Sequence, residues 1–382
     1  MRSAARPAGP AEGSAPAADL ASAKPAHPPA PPAGEQTASG QAPDPRVIDL
    51  DTIRIQVVGR TPAGEAEMTT VATADLFNEA SAAWKNGQGD AAIGMFRRLV
   101  SEFPDSGYAP LSLHNVAAIY DRRGDTSATI AVLRELVAAY PQSRKAVEGQ
   151  LYLAAILAEL KQWRPAVTAL EQALAMSGLT YADRVEAWAR KGYVLMELGL
   201  LDEAELSLQA AVADWRRAPR LEDTFFIAMA QYYRGEVAHR RFLAARVELP
   251  DDNLGKSLAA KEALAVAAYD RWREALGHRH AYWATASGYQ MSQVFVELWE
   301  AAVRAPYPTA MSQQARPRYV VEVHDRVRPQ LQKALEGHRM NVELAEAYGV
   351  STSWSDGSKA RIVQILEILS KEASGQYQQP ER

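Results

Sequence analysis

Residues 76–110 read LFNEASAAWKNGQGDAAIGMFRRLVSEFPDSGYAP. A helical run ends at Ala83-Trp84, Gly87 follows, and then come Ala92, Phe96, Leu99 and Phe103-Pro104. The same slots recur downstream at spacings of 37, 37 and 38 residues. The second copy holds Ile119-Tyr120, Gly124, Thr129, Leu133, Leu136 and Tyr140-Pro141. The third holds Leu157, Lys161, Ala166, Leu170, Ala173 and Gly178. The fourth holds Trp188, Gly192, Leu195, Gly199, Ala204, Leu208 and Ala211. A fixed period of this length, with small residues in set slots, predicts an array of stacked helix pairs from Leu76 to about Trp215.

Each copy reads as helix, short turn, helix. In the second, Leu113, Val116, Ala117 and Tyr120 recur at the spacing of one helix face. Gly124 punctuates the pattern, and Asp125 is placed to cap the next helix. That helix carries Ile130, Leu133, Leu136 and Val137 and stops before Pro141, which cannot continue it. A helix this short is marginal alone in water, so the copies must stack to bury their apolar stripes. Ala80, Ala92, Ala117, Ala154, Ala166, Gly192 and Ala204 occupy the slots where paired helices approach closely.

These residues resemble the tetratricopeptide repeat (TPR). The third and fourth copies depart from it by lacking the closing proline, with Gly178 and Arg216 standing there. Residues 70 to 145 are more narrowly similar to bacterial cell-envelope TPR proteins of the BamD and CpoB (YbgF) kind. They share the exit Phe103-Pro104-x-Ser106-x-Tyr108-Ala109 and a period longer than the usual repeat. The resemblance implies an all-α, right-handed α-solenoid of antiparallel helix pairs. It implies a non-enzymatic scaffold or adaptor that binds a protein or peptide partner, and outer-membrane assembly, Tol-Pal or motility machinery as its setting. In such arrays the first helix of each pair lines a concave groove. The implied groove residues are Phe77, Trp84 and Lys85 in the first copy and His114, Asp121 and Arg122 in the second. The third supplies Glu148, Leu151 and Glu159, and the fourth Tyr193, Met196 and Glu197. Aromatic anchors, charges and an adaptable methionine suit a peptide.

Composition bounds the rest. The 382 residues are 47% hydrophobic, enough for a sizeable folded body. A net charge of -4 argues against a dedicated nucleic-acid binder. No run of 18 apolar residues predicts a transmembrane helix. The absence of cysteine excludes disulfides, thiolate metal sites, cysteine nucleophiles and cysteine lipidation of this chain. It is compatible with cytoplasm or periplasm alike. Heavy Ala and Arg usage suggests a GC-rich bacterial source.

Residues 1–46 hold 10 of the 22 prolines and 14 alanines, and read as a disordered linker. The basic start is not followed by an apolar segment, so it does not read as a signal peptide. An envelope location then requires a signal upstream of this chain; otherwise the expected location is cytoplasmic. In 47–70, Ile53, Ile55 and Val57 alternate with Arg54 and Gln56 up to Gly59, a half-buried strand pattern with no evident partner. It reads either as an extended segment along the solenoid or as a strand that adds to a partner's sheet. The repeats fill 71–217. Divergent helices fill 218–373: Glu222 to Arg246, a loop at 249–255, Lys256 to Leu276, Tyr282 to Arg304, and Arg318 to Tyr348 with a kink or split at Pro329. A turn is expected over Gly349 to Asp356, then a capping helix from Ser358 to Lys371. Residues 374–382 read as a frayed tail.

A search for catalytic motifs finds none. Asp356-Gly357-Ser358-Lys359 lacks the upstream glycine of a P-loop, and Gly349-Val350-Ser351-Thr352-Ser353 fails as a nucleophile elbow at its last position. His278 and His280 point apart on a helix and read as solvated turn residues. No cofactor and no metal are expected. Trp163, Trp188, Trp215, Trp272, Trp283 and Trp299 read as core. The rival reading from another class is a helical enzyme in 220–372 with His239, His278, His280 and His324 as its candidates. A second rival is a cytoplasmic regulatory module in which the repeats sense a peptide.

Overall fold

A computed structural model describes residues 53–60, 66–246 and 251–378. Among them are a two-stranded hairpin and thirteen helices. They fall into two compact units, one ending at Thr180 and one beginning at Tyr181.

The first unit opens with β1 (Ile53–Arg60) and β2 (Ala66–Ala72), antiparallel, with Ile55 opposite Thr70 and a register shift between Val57 and Gly59. The strand expected to lack a partner therefore has one, β2, which follows it directly in the order of elements. The overlooked signal was the β-branched run Thr69-Thr70-Val71. Residues 47–52, the expected linker over 1–46 and the 61–65 loop lie outside the described residues.

β2 runs directly into α1 (Thr73–Lys85). The pairs are α1 with α2 (Gly89–Glu102), α3 (Tyr108–Arg122) with α4 (Thr126–Ala139), and α5 (Arg144–Glu159) with α6 (Trp163–Ala175). Helix ends follow backbone chemistry. Gly87, Gly124 and Lys161 all take positive φ, at 78°, 75° and 55°, so the sequence period is also a period of left-handed turn residues. The Asp125 side chain accepts a hydrogen bond from Ala128 N at 3.0 Å, as its capping position predicts. α2 and α4 end just before Phe103-Pro104 and Tyr140-Pro141. Ala80, Ala92, Ala117, Ala154 and Ala166 are buried where the helices approach, and Phe77 packs against the rings of Phe96 and Tyr108 at 5.5 and 5.1 Å.

The second unit begins with the pair α7 (Tyr181–Glu197) and α8 (Leu201–Arg217). Gly199 repeats the turn with φ 78°. A Cβ on Gly192 would collide with Leu208, so this slot tolerates only glycine without repacking. Then follow α9 (Phe225–Ala244), α10 (Asp251–Leu276), α11 (Ala281–Val303), α12 (Arg316–Ala347) and α13 (Ser353–Ala373).

Four expectations are corrected here. The part of the 249–255 loop that is described, Asp251–Gly255, is helical and opens α10. Pro329 neither splits nor ends α12: Leu331 and Ala334 beyond it join Val296, Trp299, Val303 and Ile365 in one cluster. That packing offsets the roughly 3 kcal/mol that an internal proline costs. The turn ends at Thr352, because Thr352 and Ser355 form a reciprocal capping box that starts α13 five residues earlier than the apolar pattern does. The tail through Gln378 is docked, with Tyr377 5.1 Å from the His324 ring and Gln378 O 3.0 Å from His324 Nε2. Of the tryptophans expected in the core, Trp272, Trp283 and Trp299 are fully buried, whereas Trp163, Trp188 and Trp215 are half-buried.

Candidate protein-interaction surface

The first helices of the first unit's pairs are α1, α3 and α5, and successive ones touch. Four implied groove residues cannot line a surface. Phe77, His114, Leu151 and Met196 are 1%, 4%, 4% and 1% exposed. The family pattern assigned them by position, but their side chains turn into the helix-pair core. Glu148 is half-buried and already engaged, 2.6 Å from Lys145 Nζ, 3.2 Å from Arg144 Nε and 3.9 Å from His114 Nε2.

Trp84, Lys85, Asp121, Arg122 and Glu159 stay at the surface, Trp84 half-buried and the other four exposed. They sit at the C-terminal ends of α1, α3 and α5 and are brought together in sequence. The Arg122 guanidinium lies over the Trp84 ring at 5.5 Å, joining the first copy to the second. Asp121 is hydrogen-bonded to the Tyr152 hydroxyl, joining the second to the third. Burial, then the hydrogen bond to Asp121 and the charges of Asp121 and Glu159, hold that phenol far above its ordinary value, so it stays a donor. Tyr152 was missed in the sequence; its place two turns before Glu159 on the same helix was the available signal.

In the second unit the implied groove residues are drawn into internal contacts. The Tyr193 ring packs tilted against that of Tyr233, centroids 4.8 Å apart. Arg240 donates to Met196 O at 2.7 Å and pairs with Glu197. Nearby, Glu236 accepts from Gln290 Nε2 at 2.9 Å, and His239 Nε2 lies 2.6 Å from Glu297. Burial above all raises the Glu236 carboxyl to about 7; His239 and Arg240 pull it back and Glu297 adds to the rise. Burial works to lower the His239 value, but the hydrogen bond and charge of Glu297 outweigh it.

The candidate histidines of the enzyme reading have separate partners. His239 bonds Glu297, and His324 bonds Glu372 at 2.6 Å. His278 and His280 are not solvated turn residues: each is half-buried, against Trp215 at 5.9 Å and Phe225 at 5.1 Å. Burial lowers both of their pKa values. Among the described residues no three His, Asp or Glu side chains gather as metal ligands, and no helix is long and apolar enough to cross a membrane.

The model of the tetratricopeptide repeat-like domain matches residues 65–222, and that stretch is a domain of this kind. The fold of such domains supports a general role in protein–protein interaction. No curated protein matches the chain. Solved structures similar to this chain include MamA protein, 14% identical with a TM-score of 0.39, covering 64% of this chain and 98% of that one. BtubC (BKLC) from P. vanneervenii is 15% identical with a TM-score of 0.44, covering 74% and 94%. The C-terminal part of a TPR repeat-containing protein from Cytophaga hutchinsonii is 12% identical with a TM-score of 0.41, covering 76% and 95%. Likeness at this level extends to no function.

Proposed function

We propose that this protein is a non-enzymatic adaptor that holds a peptide segment of a partner on the ends of α1, α3 and α5. The observation that carries this reading is the row Trp84, Lys85, Asp121, Arg122 and Glu159. Its members recur at two adjacent repeat positions and remain at the surface, whereas Phe77, His114 and Leu151 are buried. Tryptophan and arginine are among the residue types most often found as anchors at protein interfaces. The bacterial envelope is the proposed setting, supported by the likeness of residues 70–145 to envelope repeat proteins.

The test is a pull-down with the full chain from envelope and cytoplasmic extracts, beside a Trp84→Ala/Arg122→Ala variant shown by circular dichroism to stay folded. A partner captured from the envelope extract and lost by the variant supports the reading. A partner held equally by both places the contact elsewhere. A partner found only in the cytoplasmic extract supports the regulatory-module alternative.

A further inference from the structure

The charges along the candidate surface are ordered. Lys85, Arg122 and Glu159 occupy the same repeat position, each the last residue of its helix. The position therefore reads cation, cation, carboxylate along the first unit. Several other bases of the unit are already paired. Arg97 pairs with Glu135, Arg98 with Glu102, Arg123 with Asp90 and Arg144 with Glu148. No carboxylate among the described residues lies within ion-pair distance of Lys85 or Arg122. Arg122 instead lies over the Trp84 ring, 5.5 Å from its centroid, and is exposed. An exposed arginine over an aromatic ring keeps N–H groups that can meet a carboxylate in a two-pronged fashion. Asp121, beside it in sequence, is bonded to Tyr152 and so is directed toward the third copy. At that end Glu159 is exposed, and its charge adds to that of Asp121 at the Tyr152 hydroxyl. Lys161, two residues on, belongs to the turn slot that holds Gly87 and Gly124 elsewhere.

We infer that the partner segment is itself polarised: Asp or Glu side chains meet Lys85 and Arg122, and a Lys or Arg meets Asp121 and Glu159. This rests on the adaptor reading and deepens it. Charge order along the groove then fixes the direction in which the segment lies, because the reversed segment would face like charge at both ends. Complementary charge of this kind sets partner choice and orientation more than raw affinity.

The test selects binders from a random-peptide display library on the immobilised full chain. It is run in parallel on Lys85→Glu/Arg122→Glu and on Glu159→Lys, all three proteins shown by circular dichroism to be folded. These side chains are exposed, so their replacement leaves the helix-pair core intact. The expected outcome is wild-type binders with acidic residues clustered at one end and a basic residue at the other. Individual binders should lose about tenfold or more in affinity to the double variant, most strongly at low salt. Binders selected on the double variant should lose the acidic cluster, and those selected on Glu159→Lys should lose the basic residue. Wild-type binders without charge order, retained equally by the variants but lost by Trp84→Ala, would overturn the proposal and leave the adaptor reading standing. Binders that also survive Trp84→Ala, or none above background on any protein, would overturn both.

Discussion

Lys161 is the residue where the repeat works against its own chemistry. It holds the left-handed turn position, φ 55°, that glycine holds in the other three copies. A side chain in that region costs about 1 kcal/mol or more, because Cβ crowds the backbone. Lys161→Gly is therefore expected to raise the unfolding free energy by roughly 0.5–1 kcal/mol, and Gly124→Ala to lower it by about the same amount. Chemical denaturation of the two variants beside the parent reads both, and a Lys161→Gly variant less stable than the parent would count against the turn assignment. At Asp125 the side chain caps α4, so Asp125→Ala is expected to cost about 1 kcal/mol. Asp125→Asn should recover most of that loss, since the amide oxygen can accept the same bond.

Between elements, contact distance is set by the smallest residues. Gly235 on α9 faces the indole of Trp272 on α10, and an added Cβ would overlap that ring. Trp272 is fully buried and has no free side to move into. Gly235→Ala is expected to destabilise by about 1–3 kcal/mol through overpacking. A Gly235→Ala/Trp272→Phe double variant should recover part of the loss, and additive losses in thermal unfolding would rule out the direct clash. This slot was not legible in the sequence. α9 breaks the 37-residue period, and only the folded pair shows which glycine meets a tryptophan. The groove lists show the same limit. Phe77, His114, Leu151 and Met196 have the right spacing for a lining position, yet a shift of one residue around a helix moves a side chain by about 100°, enough to exchange surface for core.

For the molecule as a whole, stability against pH should be the sum of opposed titrations. Glu236 is raised from 4.5 to about 7, chiefly by burial, so its stabilisation is complete below pH 4.5 and is lost as pH rises toward 7. His239, also raised, acts in the same sense at higher pH. His338 is lowered from 6.5 to about 4 by burial and by Arg361, so the unfolded chain binds its proton first and stability is lost as pH falls from 6.5 to 4. Each of the two larger shifts is worth about 3 kcal/mol. Between pH 4.5 and 6.5 these two oppose one another, while His278 and His280, both lowered by burial, act in the same sense as His338. Relative to the parent, Glu236→Gln should make the unfolding midpoint climb more steeply with pH over this interval, and His338→Gln should make it climb less or descend. Parallel profiles in all three proteins would contradict the assignment.

The amino-acid sequence by itself determined the repeat: its period, its turn positions, its small slots and the all-α character that follows. These are local properties, carried by backbone preferences and by the spacing of apolar residues along single helices. It also placed Trp84 and Asp121 at one repeat position and Lys85, Arg122 and Glu159 at the next. Tertiary structure alone decided that Pro329 stays within a helix, that Tyr377 and Gln378 dock on His324, and that β1 pairs with β2. It also decided which of the equivalent positions are exposed. Each of those outcomes depends on what a residue meets from another part of the chain, and packing energy of that kind leaves no periodic trace in the sequence.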